Sequence, residues 1–517
     1  IAGLRGDGGA ATRLAAATDP AVAELLEAHP PRSRTRSPRL RIRVDRPRAL
    51  YGAWYELFPR SEGATETSSG TLRQAAERLP AIAGMGFDVV YLPPIHPIGF
   101  TNRKGRNNSL APRRDDPGSP WAIGGEEGGH TAVHPDLGTL EDFRRLVARA
   151  RELGLDIALD FAIQCSPDHP WLKEHPEWFH HRPDGTLKYA ENPPKRYQDI
   201  YNVNWETEDR QGLWEAIRDV VFHWMSHGVT VFRVDNPHTK PFAFWEWVID
   251  DLKRRAPETI FLSEAFTRPR VLYRLAKLGF TQSYTYFAWR RDRAELTEYF
   301  TELTASEVRE FCRPNLWPNT PDILTEELQQ GGRAAFVARL VLAATLGASY
   351  GIYGPVYELC EARAVRPGSE EYLDSEKYQL RHWDLDRPDS LADLIARVNR
   401  IRRQNAALQA DWSLRFHGTD NDRLLCYSKA TADGSNAILV VVNLDHQHPQ
   451  SGWTALWMEA LGLEEGAEFQ VHDLISEGRY RWRGPHNFVR LDPAVMPAHV
   501  FRIRRRTRTE RDFEYFM

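Results

Sequence analysis

Eight short apolar runs alternate with amphipathic stretches between residues 50 and 353, and this alternation limits the possible folds more than any other feature. The runs cover 50–58, 87–92, 155–163, 229–236, 259–266, 282–288, 316–323 and 346–353. Helical apolar spacing fills 140–153, 213–227, 242–255 and 332–344 between them. Unbroken apolar runs of this length predict strands buried on both faces, as in a parallel sheet. Strand-then-helix repeated about eight times predicts an α/β fold of the (β/α)8 TIM barrel type. A doubly wound open sheet is the competing architecture, and its dinucleotide form is weakened because no G-x-G-x-x-G follows a first strand.

The barrel is expected over 49–410 with an insert after strand 3, at about 164–211, too long for an ordinary βα loop. It carries Trp171, Trp178, Phe179 and Tyr189, and βα loops lie on the active-site face of a barrel. From 411 to 517 the apolar period becomes two, with candidate strands at 424–427, 437–442, 469–471 and 500–503. That pattern predicts a C-terminal all-β sandwich domain. Residues 1–48 read as a short helix over 20–27 and a basic linker, expected to be the remnant of a truncated or missing N-terminal region.

Composition narrows the function. The 67 Lys and Arg nearly balance the 71 Asp and Glu, which argues against nucleic acid as the main partner. No apolar run reaches the length of a membrane helix. Cys165, Cys312, Cys360 and Cys426 form no C-x-x-C pair and no disulfide framework, which favours a cytoplasmic location.

Catalytic groups of such barrels sit at the C-terminal ends of strands. Asp160, Asp235, Glu264 and Asp322 all fall near the ends of apolar runs, with Arg233 two residues before Asp235. One such Asp alone is most simply a cap or turn residue. Together they suggest a carboxylate cluster at one barrel mouth. Such a cluster suits an acetal carbon, whose transition state resembles an oxocarbenium ion. Arg233 would hold Asp235 ionised, while Glu264, after the apolar Phe261 and Leu262, would keep its proton more easily.

The Arg233-x-Asp235, Glu264 and Asp322 signature resembles the α-amylase superfamily of glycoside hydrolases. By that resemblance Asp235 is the nucleophile, Glu264 the general acid/base and Asp322 the stabiliser of the distorted sugar. Arg233 is then the nucleophile's partner and Asp160 a structural member of the site. Two departures are informative. Where many amylases carry Asn-His after the third-strand Asp, this chain has Gln164-Cys165, and where many carry Asn-His-Asp, it has Thr320-Pro321-Asp322. With Tyr51-Gly52-Ala53-Trp54-Tyr55-Glu56, Asn102 to Asn108, Asn192-Pro193-Pro194-Lys195, Arg233 to Pro241 and Asp374-Ser375-Glu376-Lys377-Tyr378, the chain is similar to the α-1,4-glucan:maltose-1-phosphate maltosyltransferase family.

That resemblance implies a retaining glycosyltransferase without metal or organic cofactor. Its donor would be α-maltose 1-phosphate and its acceptor the non-reducing end of an α-1,4-glucan. Ammonium, amide and phenol donors readily bind oxyanions. Lys104 and Asn108, with Asn192, Lys195 and Tyr197, would therefore form the phosphate site; the plain alternative is a solvated loop. Gln164 and Asn236 would contact donor or sugar, or else serve as a core amide and a turn residue. By resemblance Lys377 and Tyr378 reach the second glucose. His130 and His134 lack a tetrahedral ligand set and read as packing residues, and His238 as a supporting one. Full-length members of the family resemble homodimers; for this chain the oligomeric state is left open. An amylase-type hydrolase or trehalose-forming isomerase on the same scaffold is the alternative enzyme, and would need no phosphate site. A non-catalytic glucan-binding protein is the remote alternative, disfavoured because all three acidic residues remain.

Overall fold

The computed structural model describes residues 9–29, 42–65, 68–192 and 195–504, without the side chains of Asn192 and Lys195. One compact unit comprises residues 1–44 and, where described, contains helices Ala10–Ala17 and Pro20–Ala28. The second begins at Asp45 and contains the barrel and everything after it.

In that second unit eight parallel strands close on themselves. They are β1 (Gly52–Glu56), β2 (Val89–Leu92), β3 (Asp156–Phe161), β7 (Val231–Val234), β8 (Ile260–Ser263), β9 (Gln282–Tyr284), β10 (Pro314–Leu316) and β11 (Ser349–Tyr353). Between β3 and β7 the chain forms the insert, with strands β4 (Gln164–Cys165), β5 (Tyr189–Asn192) and β6 (Lys195–Asn202). Closure comes from β1, which pairs with β2 on one side and with β11 on the other, Gly52 opposite Ser349. This is the (β/α)8 barrel that the alternation predicts.

Alternate strand residues point inward, where Trp54, Val89, Tyr91, Ala158, Val231, Ile260, Leu262, Tyr284 and Trp317 fill the barrel. The intervening residues face the helices and belong to the larger outer core. Helices Leu72–Gly84 and Leu140–Glu152 start at capping boxes, Thr71 with Gln74 and Thr139 with Asp142. Helix Gly332–Leu346 is apolar nearly all round because it lies between the barrel and the C-terminal sheet; Thr345 bonds Tyr427 of that sheet.

Every strand is shorter than its apolar run, and two of them depart from it most. The 282–288 run stays extended only to Tyr284 and then forms a 3-10 turn, Tyr286–Trp289. In the 316–323 run the strand lies earlier, at Pro314–Leu316. Pro318 and Pro321 have no N–H to give a ladder, so the chain turns, with Thr320 and Ile323 exchanging backbone bonds.

The C-terminal region is antiparallel. Its strands are β12 (Arg415–Thr419), β13 (Leu424–Ala430), β14 (Ala437–Asn443), β15 (Gln450–Ala455), β16 (Glu468–Asp473), β17 (Arg479–Arg483), β18 (Phe488–Leu491) and β19 (Ala498–Arg504). They run in the order β17-β16-β19-β14-β13-β12-β15-β18. Trp482 from one edge strand and Leu491 from the other enter the same apolar cluster, so the sheet folds over its own core as a sandwich does. Its other face, including Leu425, Tyr427, Val440 and Val442, joins the barrel core. No helix among the described residues is long and apolar enough to cross a membrane.

Candidate active site

Asp235 and Glu264 each lie one residue beyond a strand, β7 and β8, while Asp160 is still inside β3. Parallel pairing sets Asp160 beside Arg233, and Arg233 beside Leu262. The period of two then turns Arg233 into the barrel, where its guanidinium lies 5.7 Å from the Tyr91 ring and 5.9 Å from the Tyr284 ring.

From there Arg233 meets three acids. Nη1 contacts Asp160 Oδ2 at 2.9 Å and Asp235 Oδ1 at 2.8 Å, and Nη2 contacts Glu264 Oε1 at 3.0 Å. The three respond differently to the shared cation. Burial pushes Asp235 up, but Arg233, Lys240 and Asn236 outweigh it and hold the carboxyl below its ordinary value. At Glu264 burial wins over Arg233 and, with Asp235 adding repulsion, pushes the carboxyl to about 7. Asp160 is likewise pushed to about 7 by burial, though it accepts a hydrogen bond from Tyr91. The arrangement supplies one ionised carboxyl and one that still binds a proton up to about neutral pH, which is what a double displacement at an acetal carbon needs.

Asn236 sits between the two. Its backbone N–H donates to Glu264 Oε2 at 3.1 Å and its side-chain amide to Asp235 Oδ2 at 3.3 Å. The residue adopts left-handed backbone angles, φ 43° and ψ 50°, which Asn tolerates better than most.

Above these groups a pocket of about 290 Å³ opens. Asp235, Glu264, Asp322, Asn108, Gln164, Asn236, Tyr197, Lys377 and Tyr378 all line it, so most of the residues singled out in the sequence meet in one place. The insert contributes Ala190, Glu191, Tyr197, Asp199, Ile200 and Asn202 as a roof. Arg233 and Asp160 lie beneath the wall, buried at 6% and 4% exposure. Asp322 lies in the turn after β10 and not at the strand's end, half-buried, and Lys377 Nζ holds both its oxygens at 2.7 and 2.9 Å. Lys377 therefore presents an ion pair to the pocket.

Lys104 is not on the pocket surface. It is buried and donates to Gln198 Oε1 at 2.5 Å, behind the strand that presents Tyr197 and Asp199. Burial lowers its proton affinity while Asp199 opposes the shift. The side chains of Asn192 and Lys195 lie outside the described residues.

The sequence reading missed Lys240, Asp199, Ser119 and Trp121, all on the pocket wall. Lys240 is the last residue but one of the stretch from Arg233 to Pro241, so a basic residue next to a proline after the nucleophile was its signal. Trp121 has none, because its loop carries no periodicity.

His130, Cys165 and His169 place their ligand atoms within 4.8 Å of one another. Hydrogen bonds already engage the rings. The His169 Nδ1 accepts from the Trp171 N–H at 3.0 Å, so its Nε2 carries the proton that faces His130 Nδ1 at 3.0 Å. His130 Nε2 then donates to the Ala162 carbonyl at 2.9 Å. Burial drives His130 down to about 4, so the pair is neutral and self-satisfied, and His134 serves as the side-chain cap of a short turn.

Two family models match the chain: "Alpha amylase, catalytic domain" over residues 56–240 and "GLGE, C-terminal" over residues 416–503. Alpha-1,4-glucan:maltose-1-phosphate maltosyltransferase of Chlorobaculum tepidum is 55% identical over 470 residues, covering 90% of this chain and 70% of that protein. Alpha-1,4-glucan:maltose-1-phosphate maltosyltransferase 2 of Streptomyces coelicolor is 57% identical over 500 residues, covering 96% and 74%. Among solved structures, a maltogenic α-amylase from Thermotoga neapolitana superimposes with a TM-score of 0.67 at 18% identity, covering 88% of this chain and 98% of that one. An Anoxybacillus α-amylase gives 0.69 at 15% identity, covering 89% and 99%. At such identities the structural likeness speaks for the fold alone.

Proposed function

The chain belongs to the α-1,4-glucan:maltose-1-phosphate maltosyltransferase family, and from that premise we propose that it transfers maltosyl units to α-1,4-glucans with a retaining mechanism. The donor is α-maltose 1-phosphate, the acceptor the non-reducing end of the glucan, and the process α-glucan or glycogen biosynthesis. The observation that carries the mechanism is one guanidinium shared by Asp235 and Glu264 at 2.8 and 3.0 Å, with the first acid held ionised and the second pushed up to about 7.

Asp235 attacks the anomeric carbon, forming a β-maltosyl ester while the bond to the phosphate oxygen breaks. Glu264 gives its proton to that oxygen, and inorganic phosphate leaves. Glu264, now ionised, removes the proton of the glucan 4-hydroxyl. That oxygen attacks the same carbon, and Asp235 departs as carboxylate with the configuration restored. Asp322, steadied by Lys377, holds sugar hydroxyls and supports the flattened ring. Asn108, Tyr197, Asn192, Lys195 and Asn236 receive the phosphate, with Lys104 adding its charge from behind the wall. Gln164, Lys377 and Tyr378 contact the maltosyl unit. The reaction itself calls for no metal or organic cofactor. We place it in the cytoplasm, in keeping with four scattered cysteines that form no C-x-x-C pair, and assign homodimerisation to full-length members of the family.

The test is phosphate release from α-maltose 1-phosphate in the presence of glycogen. The intact chain should release it with elongation of the glucan, and Asp235→Ala should not. Mass spectrometry of a quenched reaction should find a maltosyl adduct on the peptide carrying Asp235. Full activity of Asp235→Ala, or an adduct elsewhere, overturns the assignment.

A further inference from the structure

Lys240 follows the nucleophile by five residues and is 7% exposed. Its ammonium donates to the carbonyl oxygen of Asp235 at 3.2 Å and to that of Asn236 at 3.1 Å. Two neutral carbonyls are poor compensation for a buried cation. The remainder comes from the negative ends of Asp235, Glu264 and Asp160, against the repulsion of Arg233. The two carbonyls that it grips flank the residue with left-handed angles, Asn236. That turn aims one N–H at Glu264 and one amide at Asp235.

We propose that Lys240 is a positioning residue for the reaction: it clamps the Asp235–Asn236 turn and thereby sets how both reacting carboxyls are hydrogen-bonded. Its side chain acts through the backbone and needs no contact with the reacting carbon. Lys240 also stands on the wall between the pocket and a second chamber of about 420 Å³ lined by Tyr189, Trp205 and Asn202, so loosening the turn would loosen that partition too.

The charged and titratable groups facing Glu264 are Arg233, Asp235, Lys240, Asp322 and Tyr284. Removing the Lys240 charge leaves fewer cations to favour ionised Glu264, and a slackened turn weakens the N–H bond to it. Both effects make Glu264 hold its proton to higher pH.

The experiment follows the carboxyl of Glu264 by infrared difference spectroscopy during a pH titration of the sugar-free protein, with Glu264→Gln assigning the band. In Lys240→Gln, which keeps amide donors but loses the charge, the midpoint should rise by about one unit. Lys240→Arg should hold it near the wild-type value. In phosphate release, Lys240→Gln should lower kcat by about tenfold to a hundredfold, with the donor KM little changed and the basic limb displaced upward. Lys240→Arg should recover most of that loss. An unmoved Glu264 midpoint in folded Lys240→Gln, or Arg no better than Gln, overturns the proposal. Should Lys240→Gln fail to fold, Asn236→Ala decides instead. Alanine opposes the left-handed turn, so the midpoint rises if the turn matters and stays if the proposal is wrong. Only the kinetic arm rests on the proposed function. A wild-type chain that releases no phosphate would overturn that function and leave the titration to decide Lys240.

Discussion

The backbone N–H of Asn236 donates to Glu264 Oε2 at 3.1 Å, tying the loop after β7 to the acid that follows β8. The hydrogen-bonded acid and the nucleophile are thus coupled through one residue as well as through Arg233. A change at either carboxyl is felt by the other, and the pH behaviour of the site belongs to the pair.

The first prediction concerns rate against pH. The first step needs Glu264 protonated and Asp235 ionised. The kcat/KM for the donor should therefore fall as pH rises through about 7, where Glu264 loses its proton. Asp235 is held ionised below the ordinary carboxylate range, so its own protonation should not set the acid limb. Glu264→Gln should lower the rate by about 10²–10⁴-fold and abolish the basic limb. Dividing the two profiles removes the donor phosphate's own ionisation near pH 6. A basic limb that persists in Glu264→Gln would assign it to another group.

Stability should run the other way in the same variant. Glu264 has a folded value of about 7 against 4.5 when unconstrained, so the native state holds the proton more tightly. Its contribution is fully present below about 4.5 and declines as pH rises to 7. A glutamine does not titrate. Glu264→Gln should melt about 1–3 °C higher than wild type at pH 8, with the difference shrinking at pH 5. Equal gaps at both pH values would contradict this.

Lys377 and Asp322 should be energetically coupled. With both carboxylate oxygens within 2.9 Å of one ammonium, each side chain positions the other. In a double-mutant cycle on kcat/KM, Asp322→Ala and Lys377→Ala should deviate from additivity by about 0.5–3 kcal/mol. Simple additivity would mean that they meet the sugar independently.

The phosphate pocket should be separable from the sugar site. Asn108→Ala and Tyr197→Phe should each weaken use of the phosphorylated donor by about tenfold to a hundredfold, the loss of one charge-assisted contact. Their activity with maltosyl fluoride, which carries no phosphate, should change much less. Parallel losses on both donors would remove these residues from the phosphate site.

A fifth prediction tests the junction of barrel and C-terminal sheet. Lys429, 1% exposed at the side chain, faces Asp411 at 3.3 Å, and Asp411 also accepts the backbone N–H of Ala348 just before β11. Lys429→Met strands the carboxylate and should cost about 3–5 kcal/mol, seen as a lower denaturation midpoint. Replacing both residues by apolar ones should recover most of it. No recovery would show that packing of the Lys429 stem matters more than its charge.

Much of this was legible in the chain itself. The barrel strands are buried on both faces, so their apolar runs are continuous, and the acids stand out because each interrupts or ends a run. Asp322 was the weaker placement: the apolar residues beyond Leu316 suggested a longer strand, but Pro318 and Pro321 end it early. Among the C-terminal strands, β13, β14, β16 and β19 were visible from their alternation or apolar runs. By contrast β12, β15, β17 and β18 were not, since β15 and β17 face solvent along much of their length and carry few apolar residues. At the site, acidic and phosphate-binding types announce themselves by chemistry. The burial of Lys104 behind Gln198 does not, because it depends on where the insert folds back. Nor does the clamp by Lys240, which works through backbone carbonyls that every residue possesses.

The neutral histidines beneath the mouth have a consequence for tolerance of acid. His96, pushed down to about 3, packs 5.9 Å from His130, which bonds His169, itself held well below its normal value. Together they join the loop after β2, the end of β3 and the start of the insert. Once exposed, each ring would take a proton near pH 6.5. The folded protein refuses all three, so acidification draws the chain toward forms in which they are free. The roof over the pocket should therefore come loose while Asp235 is still charged, and the lower bound of the working pH range is set by rings that never meet a sugar.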